Sequence, residues 1–186
     1  MLILIAEDES LIRLGLKSML EGLGHEVIAA ANGREAIRMA DRHRPDLAIL
    51  DIRMPYTDGL QAARAIAAAR PLPILLLTAY SDADLVDRAS DLPIHGYLVK
   101  PILPEELGAA VTVAAKRFAE SRAMADRMAQ LEADLAARKL IDRAKGRLMQ
   151  TGLSEEDAYR AIQTRARRER QSLVDAARDI LVNLTP

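Results

Sequence analysis

Polar residues that could carry phosphoryl-transfer chemistry follow four short apolar segments of the chain. Glu7 and Asp8 come directly after the first segment, Asp51 and Thr78 after two later ones, and Lys100 after the last. Three carboxylates that lie close together repel one another and favour a hard cation with oxygen ligands, such as Mg²⁺. A carboxylate can attack phosphorus to form an aspartyl phosphate, while a metal ion and a lysine neutralise the transferred oxygens. Each residue alone has an ordinary role as a helix cap or surface charge, but the set predicts a magnesium-dependent aspartyl phosphate site.

These residues can meet only if the apolar segments are strands of one sheet. The segments alternate with helical patterns, which indicates an α/β fold, a parallel sheet with helices on both faces. In such sheets ligands bind beyond the carboxyl ends of the strands, where the polar residues would converge. The predicted strands are 2–6, 27–30, 47–50, 74–77 and 97–99, and the predicted helices are 10–22, 33–43, 58–69 and 81–90.

Four motifs in residues 1–115 carry a resemblance to a known family. They are the acidic pair at 7–8, the segment 51–59 that contains Asp-Ile-Arg-Met-Pro and Asp-Gly, the Thr-Ala step at 78–79, and the segment 96–101. Together they closely resemble the response-regulator receiver domain of two-component signalling. The resemblance implies a flavodoxin-like fold with strand order 2-1-3-4-5, a cis peptide bond after Lys100, and phosphorylation by a cognate sensor histidine kinase.

The same resemblance implies a role for each residue of the site. The domain would not be an enzyme, because it accepts a phosphoryl group and at most releases it slowly. Two features depart from the family pattern: a Glu stands at position 7, where Asp is more common, and residues 91–93 interrupt the end of the fourth helical pattern. The implied roles are phosphoacceptor for Asp51; Mg²⁺ ligands for Glu7, Asp8, Asp51 and the backbone carbonyl of Arg53; phosphoryl contact for Lys100; and switching for Thr78 and Tyr97.

Charge divides the chain into two parts with different partners. Residues 1–115 carry 11 Lys and Arg against 16 Asp and Glu, whereas residues 138–170 carry 10 against 5. The residues between them, 116–137, contain no Gly or Pro. This predicts a helix that continues the last receiver helix and separates an acidic domain from a basic one.

An apolar stripe lies on this connecting helix. Met124, Met128, Leu131 and Leu135 have the 4-3-4 spacing of a coiled-coil seam. Because the stripe spans less than two heptads, two interpretations remain open. The helix is either a seam that forms a homodimer, at least after phosphorylation, or a solvated connector.

Residues 138–186 predict a small domain of three amphipathic helices. The first ends near Gly152, and Ser154 and Ser172 each precede an aspartate by three positions, a capping pattern that begins the next two helices. Arginines dominate the outer faces of the first two helices, which favours contact with nucleic-acid phosphates. Aromatic residues make up only 3% of the chain, which argues against base stacking on a sheet.

The C-terminal helices also carry a family resemblance. Segments 141–149 and 154–159, with Ala166 and the segment 176–180, resemble the ANTAR domain of transcription antitermination regulators. The resemblance implies binding to hairpin RNA in nascent transcripts, as a dimer, to suppress a terminator. From the resemblance and from helix position, the candidate RNA-binding residues are Arg143, Lys145, Gly146, Arg147, Arg160, Arg167 and Arg168.

Two other outputs remain open from the sequence. A DNA-binding helix-turn-helix would present polar side chains on its recognition helix, but residues 173–181 carry few. A protein-interaction domain would instead dock an acidic partner on the basic helices.

Composition excludes several other classes of function. Cysteine is absent, which removes disulfides, thiolate metal sites and cysteine nucleophiles. The N-terminus has no basic segment before its apolar run, and no uncharged apolar stretch reaches the roughly 18 residues that a membrane span needs. We therefore expect a cytoplasmic protein that does not contact the membrane.

Overall fold

The computed structural model describes residues 1–79 and 92–183. The predicted helix at 81–90 lies outside the described residues, and so does residue 91, the first residue of the predicted interruption at 91–93. The chain divides into two compact units, Met1–Arg122 and Ala123–Pro186. The strands are β1 (Leu2–Ala6), β2 (Glu26–Ala30), β3 (Leu47–Asp51), β4 (Ile74–Thr78) and β5 (Gly96–Val99). The helices in the described residues are α1 (Ser10–Gly22), α2 (Gly33–His43), α3 (Gly59–Ala69), α4 (Pro104–Met149), α5 (Glu155–Glu169) and α6 (Leu173–Asn183).

The five strands form one parallel sheet in the order β2-β1-β3-β4-β5, which confirms the flavodoxin-like fold. In this register Asp51 of β3 lies beside Leu77 of β4, and Thr78 of β4 lies beside Val99 of β5. The backbone N–H of Lys100 donates to the Thr78 carbonyl at 2.9 Å. The sheet thus brings the ends of three neighbouring strands, each with a predicted site residue, to a single edge.

Helices cover both faces of the sheet, and this explains why its central strands are continuously apolar. Successive side chains of a strand point to opposite faces. Ile3 and Ile5 of β1 pack in one core with Leu16 of α1 and Leu107 of α4. Leu4, between them, packs in a second core on the other face with residues of α2 and α3. The three central strands β1, β3 and β4 are therefore buried on both faces, as expected for a parallel sheet.

Helix α4 includes two segments that the sequence predicts as separate helices. It begins at Pro104, after a cis peptide bond between Lys100 and Pro101, and runs for 46 residues to Met149. The first of the three predicted C-terminal helices is therefore the last part of α4 and not a separate element. No Gly or Pro interrupts it between Gly108 and Gly146, so nothing in that stretch favours a break.

The second unit has a small core of its own, as predicted. Ala144 of α4, Ile162 of α5 and Ile180 of α6 are buried together. The two predicted caps are present: Ser154 Oγ and Ser172 Oγ each accept a hydrogen bond at 3.1 Å from the backbone N–H three residues later.

The sequence predicts that Tyr159 belongs to the apolar face of α5, but the structure places it outside that core. Tyr159 is 39% exposed, whereas its neighbour Ala158 is fully buried. A step of one residue turns a helix by about 100°, which carries Tyr159 to the margin of the buried face.

Candidate functional site

The carboxylates of Glu7, Asp8 and Asp51 form a cluster at the carboxyl edge of the sheet. One oxygen from each lies within 4.8 Å of the others. Glu7 is fully buried and Asp51 is 5% exposed, while Asp8 is open to solvent. The donor set consists only of carboxylate oxygens, the type of ligand that Mg²⁺ prefers, and its exposed member leaves a path from solvent. The predicted metal ligands therefore come together in an arrangement that fits a divalent cation.

Lys100 bridges the two buried carboxylates. Its Nζ lies 2.6 Å from Glu7 Oε2 and 2.9 Å from Asp51 Oδ2, and its side chain is 20% exposed. The position of Lys100 directly after β5, the strand next to β4, brings the ammonium group across the strand ends to this cluster. One positive charge thus partly compensates two carboxylates that have lost most of their contact with water.

Burial dominates the proton affinities of this cluster. It raises the pKa of Glu7 and of Asp51, although hydrogen bonds from Lys100 act in the opposite direction on both. Burial alone would lower the pKa of Lys100, but hydrogen bonds to Glu7 and Asp51 outweigh it, so the pKa of Lys100 is raised. The three groups hold one another in a charged state that desolvation opposes, and a site of this kind favours the arrival of further positive charge.

The two predicted switch residues lie near the cluster but not within it. Thr78 is 5% exposed, and its hydroxyl donates to the Ala79 carbonyl at 3.0 Å. Tyr97 is 38% exposed and lines a cavity of about 540 Å³ together with Lys100 and Pro101. Glu106 and Ala110 of α4 line the same cavity.

Arg53, whose carbonyl the resemblance assigns to Mg²⁺, lies on the solvent side of the cluster. It lines a cavity of about 500 Å³ with Asp8 and Asp58. A backbone hydrogen bond from Arg53 to the Asp51 carboxylate lowers the pKa of that group. Asp8, the exposed carboxylate of the cluster, is the member that lines this cavity.

Arg13 is a residue of this site that the sequence did not reveal. Its Nη1 donates to the carbonyl of Glu7 at 2.7 Å and to the carbonyl of Asp8 at 3.1 Å. A single guanidinium group in α1 therefore fixes the backbone that presents both acidic side chains. Its position one turn into an amphipathic helix suggested only a solvated cation, because no local pattern marks a hydrogen bond back to the preceding loop.

Gly59 packs closely against the backbone of Asp51. A Cβ atom at Gly59 would lie 2.1 Å from the Asp51 carbonyl oxygen, far inside van der Waals contact. Asp58, just before it, caps α3 by accepting a hydrogen bond from the Gln61 N–H at 2.7 Å. The Asp-Gly pair thus begins α3 and lets its first turn pack directly on the backbone of the candidate acceptor.

In the second unit, Lys145 is held by carboxylates of its own chain. Its Nζ lies 2.8 Å from Glu155 Oε1 and 3.2 Å from Asp142 Oδ1. Both hydrogen bonds raise the pKa of Lys145, the one to Glu155 more strongly. The side chain joins the end of α4 to the start of α5.

Two of the three predicted arginines of α5 are also paired. Arg160 lies 2.6 Å from Glu156, and Arg168 lies 2.9 Å from Glu169. Arg167 makes no ion pair or side-chain hydrogen bond with any residue that the structure describes. All three side chains are exposed, as predicted, but their charges are not equally available.

The remaining predicted RNA-binding residues lie side by side on α4. Arg143, Gly146 and Arg147 line a cavity of about 440 Å³ together with Gln150 and Leu181. The sequence pattern predicted the first three of these residues. Gln150 and Leu181 were missed, since Gln150 carries no charge and Leu181 reaches this surface from α6.

Comparison with known families accounts for both units. Residues 3–112 match the response regulator receiver domain, and residues 129–181 match the ANTAR domain. The chain belongs to the response-regulator family and carries an ANTAR domain.

One relative matches this response regulator over nearly the whole length of both chains. The transcriptional regulatory protein PdtaR of Mycobacterium tuberculosis is 44% identical over 185 residues, which cover 98% of this chain and 90% of that protein. The probable transcriptional regulator ycf27 of Porphyridium aerugineum is 36% identical over 115 residues, 62% of this chain and 48% of that protein. The second match thus reaches only part of this response regulator.

Solved structures support the fold of the receiver. A response regulator receiver domain protein from Clostridium thermocellum matches with a TM-score of 0.60 and 31% identity, over 62% of this chain and 94% of that one. The signal receiver domain of a modulated diguanylate cyclase from Desulfovibrio desulfuricans matches with a TM-score of 0.61 and 34% identity, over 64% and 97% of the two chains. Within the described part of the response regulator, no helix combines the length and the apolar character needed to cross a bilayer.

Proposed function

We propose that this response regulator accepts a phosphoryl group on Asp51 and, in that state, binds structured RNA hairpins to antiterminate transcription. In this proposal residues 1–115 form the receiver, residues 116–137 the connecting helix and residues 138–186 the RNA-binding domain. The single observation that carries it is the carboxylate cluster with its bridging lysine in a chain that also contains an ANTAR domain. A sensor histidine kinase is the donor, and the cytoplasm is where kinase and nascent RNA meet.

The residues of the cluster divide the chemistry among them. Asp51 is the nucleophile toward phosphorus, and its Oδ2, now 2.9 Å from Lys100, lies where a transferred group would meet that ammonium. Glu7, Asp8 and Asp51, with the Arg53 carbonyl, would hold Mg²⁺. When bound, Mg²⁺ neutralises charge on the phosphoryl oxygens. A phosphoryl group adds a charge of about −1.5 to −2 at this edge of the sheet, and we propose that Lys100 leaves Glu7 to meet it.

Thr78 and Tyr97 would rearrange when Asp51 is phosphorylated. The Thr78 hydroxyl now donates to a backbone carbonyl, a neutral acceptor that a phosphoryl oxygen outcompetes, because hydrogen bonds to charged groups are stronger. Tyr97, which lines a cavity beside Lys100, has room to turn inward. Such a change biases a two-state equilibrium and does not create a new fold.

A second copy of this chain is the partner that the connecting helix best fits. Met124, Met128, Leu131 and Leu135 are between 53% and 63% exposed, and they occupy one seam of α4 with coiled-coil spacing. Four large apolar side chains on one helical stripe gain stability when an equivalent stripe covers them. A parallel homodimer would also bring together two RNA-binding domains, a geometry suited to paired hairpins.

The basic surface of the second unit supports RNA as the ligand. Two of the candidate contacts, Arg143 and Arg167, have no intramolecular partner among the described residues. Helix faces with cationic side chains recognise nucleic-acid backbone and shape without an aromatic sheet.

The proposal is tested by comparing the wild type with the Asp51→Asn variant, each with and without a small-molecule acyl phosphate and Mg²⁺. Sedimentation would report dimerisation, and gel shifts on stem-loop RNA, single-stranded RNA and duplex DNA would report the ligand. We expect phosphodonor to increase both dimer and stem-loop binding in the wild type and in the control variant Asp41→Asn, an exposed position on α2. Identical behaviour of Asp51→Asn and wild type would reject the phosphorylation dependence, and preference for duplex DNA would reject the RNA output.

A further inference from the structure

The cavity of about 440 Å³ lined by Arg143, Gly146, Arg147, Gln150 and Leu181 is called here the Gly146 pocket. Its volume lies within the range of about 300 to 1,000 Å³ that is typical of sites for small organic groups. It combines two guanidinium groups, one amide and one apolar side chain.

Gly146 lies in the last turn of α4, where it keeps a helical backbone and so is not needed as a left-handed cap. Glycine inside a helix destabilises it relative to alanine because its unfolded chain has more freedom to lose. Close packing does not explain it, since a Cβ atom here would meet nothing within 4 Å. Gly108, earlier in the same helix, differs, since its Cβ would lie 3.3 Å from a Leu23 methyl group. Gly146 thus keeps an external surface open, which a ligand could approach closely.

The neighbouring lysine does not belong to this pocket. Lys145 lines a different cavity, together with Arg138 and Tyr159, and its ammonium group is held by Asp142 and Glu155. We therefore separate the two residues of the Lys-Gly step: Lys145 braces the start of α5, and Gly146 faces outward.

If the proposed RNA-binding function holds, we infer that the Gly146 pocket receives one unpaired nucleotide of the hairpin loop. Proteins read RNA sequence mainly at unpaired bases, because the major groove of the A-form helix is too narrow for side chains. Arginine planes stack on such bases, which suits a chain with few aromatic residues. Gln150 offers both a donor and an acceptor to a base edge, and Leu181 offers an apolar contact to its face.

The charges fit the sugar and phosphate of the same nucleotide. Arg143 has no hydrogen bond or ion pair with any residue in the described part of the chain. Arg147 lies one turn further along the same face, with its Nη1 3.4 Å from Gln150 Oε1. Arginine can contact a phosphate from a helix face while the open backbone at Gly146 allows the ribose to approach.

The test uses the full-length protein, phosphorylated with an acyl phosphate, and the tightest-binding hairpin recovered from a pool of stem-loops with randomised loops. Each loop nucleotide is replaced in turn by an abasic nucleotide, and affinity is measured for the wild type and for Gln150→Ala. We expect one loop position at which base removal weakens wild-type binding by about tenfold, a cost equal to a few lost contacts. In Gln150→Ala the cost at that same position should fall to about threefold or less, while the costs elsewhere stay unchanged.

Gly146→Ala provides a second test, in which thermal stability and hairpin affinity should change in opposite directions. It should raise Tm by about 1 to 4 °C, from improved helix propensity, and weaken hairpin binding by about tenfold. Gly15→Ala is the control, since Gly15 lies in the middle of α1 and its Cβ would likewise meet nothing within 4 Å. It should give at least as large a rise in Tm, with unchanged hairpin affinity.

The possible outcomes distinguish a failure of the RNA-binding function from a failure of the assignment of a nucleotide to the Gly146 pocket. If the wild type selects no hairpin from the pool, the RNA-binding function itself is rejected, and the pocket assignment with it. If the wild type binds a hairpin but its abasic profile is flat, or is the same in Gln150→Ala, the pocket assignment is overturned and the RNA-binding function stands. A Gly146→Ala protein that binds as tightly as the wild type would likewise overturn it.

Discussion

Replacing Lys100 by Met should destabilise the receiver strongly, and Mg²⁺ should largely restore it. The substitution keeps most of the apolar stem but removes an ammonium group that lies 2.6 Å from Glu7 and 2.9 Å from Asp51. Breaking a buried ion pair by removing one partner costs about 3 to 5 kcal/mol, since the remaining charge is uncompensated. Lys100 retains 20% exposure, so we expect the lower end, about 3 kcal/mol.

The loss should appear as a fall in Tm of about 6 to 12 °C without Mg²⁺, for a chain of this size. Adding Mg²⁺ should raise the Tm of Lys100→Met more than that of the wild type, because the cation replaces the missing positive charge, whereas in the wild type it competes with Lys100. The measurement is thermal unfolding by circular dichroism over a Mg²⁺ titration. Lys116→Met is the control: its ion pair with Glu120 is exposed and 4.0 Å long, so its removal should change Tm by less than about 2 °C. Equal losses in the two variants, or an equal response to Mg²⁺ in Lys100→Met and the wild type, would refute the compensation argument.

Three further predictions concern the elements around the cluster. Gly59→Ala should abolish phosphorylation by an acyl phosphate and lower the free energy of unfolding by at least about 2 kcal/mol, because its Cβ would lie 2.1 Å from the Asp51 carbonyl oxygen. Phosphoprotein gels measure the first effect and urea unfolding the second. Normal phosphorylation of the variant would contradict the close contact. Arg13→Ala should weaken Mg²⁺ binding about fivefold in calorimetry, since two hydrogen bonds that hold the acidic loop are lost, and an unchanged Mg²⁺ affinity would mean that the loop holds itself. His95→Asn should reduce the pH dependence of stability. Burial lowers the pKa of His95 below its ordinary 6.5, so the wild type loses stability as pH falls from 6.5 toward the folded-state pKa. In urea titrations between pH 7 and 5, the variant should therefore lose less stability than the wild type.

Strand periodicity and strand-end chemistry were enough to predict the sheet and the carboxylate cluster. Parallel topology leaves little choice once five apolar segments are found, and it places Asp51, Thr78 and Lys100 at one edge whatever their side-chain conformations. The hydrogen bonds of Arg13 could not be predicted in this way, because they join a helix to the backbone of the preceding loop. The full length of α4 was underestimated, because the amphipathic pattern that ends near Gly152 predicted a separate helix, although no Gly or Pro divides it from residues 116–137.

In the basic domain, sequence spacing accounts for some of the ion pairs, and the packing of helices accounts for others. Counting arginines correctly predicted an exposed cationic surface, and the pairing of Arg160 with Glu156 follows from their i, i+4 spacing on a helix. The link from Lys145 to Glu155 crosses the turn between α4 and α5, so it depends on how two helices pack and not on spacing.

The ion pairs of α5 and α4 also determine how this surface would respond to salt. Arg160, Arg168 and Lys145 already have carboxylates of their own chain as counterions. A phosphate that binds one of them displaces a carboxylate, which then attracts cations from solution and partly offsets the release of cations from the RNA. Arg143 and Arg167, which lack such carboxylates among the described residues, would each contribute nearly a full unit to the slope of log affinity against log salt concentration. The affinity of this protein for RNA should therefore fall less steeply with salt concentration than that of an equally arginine-rich surface without internal ion pairs.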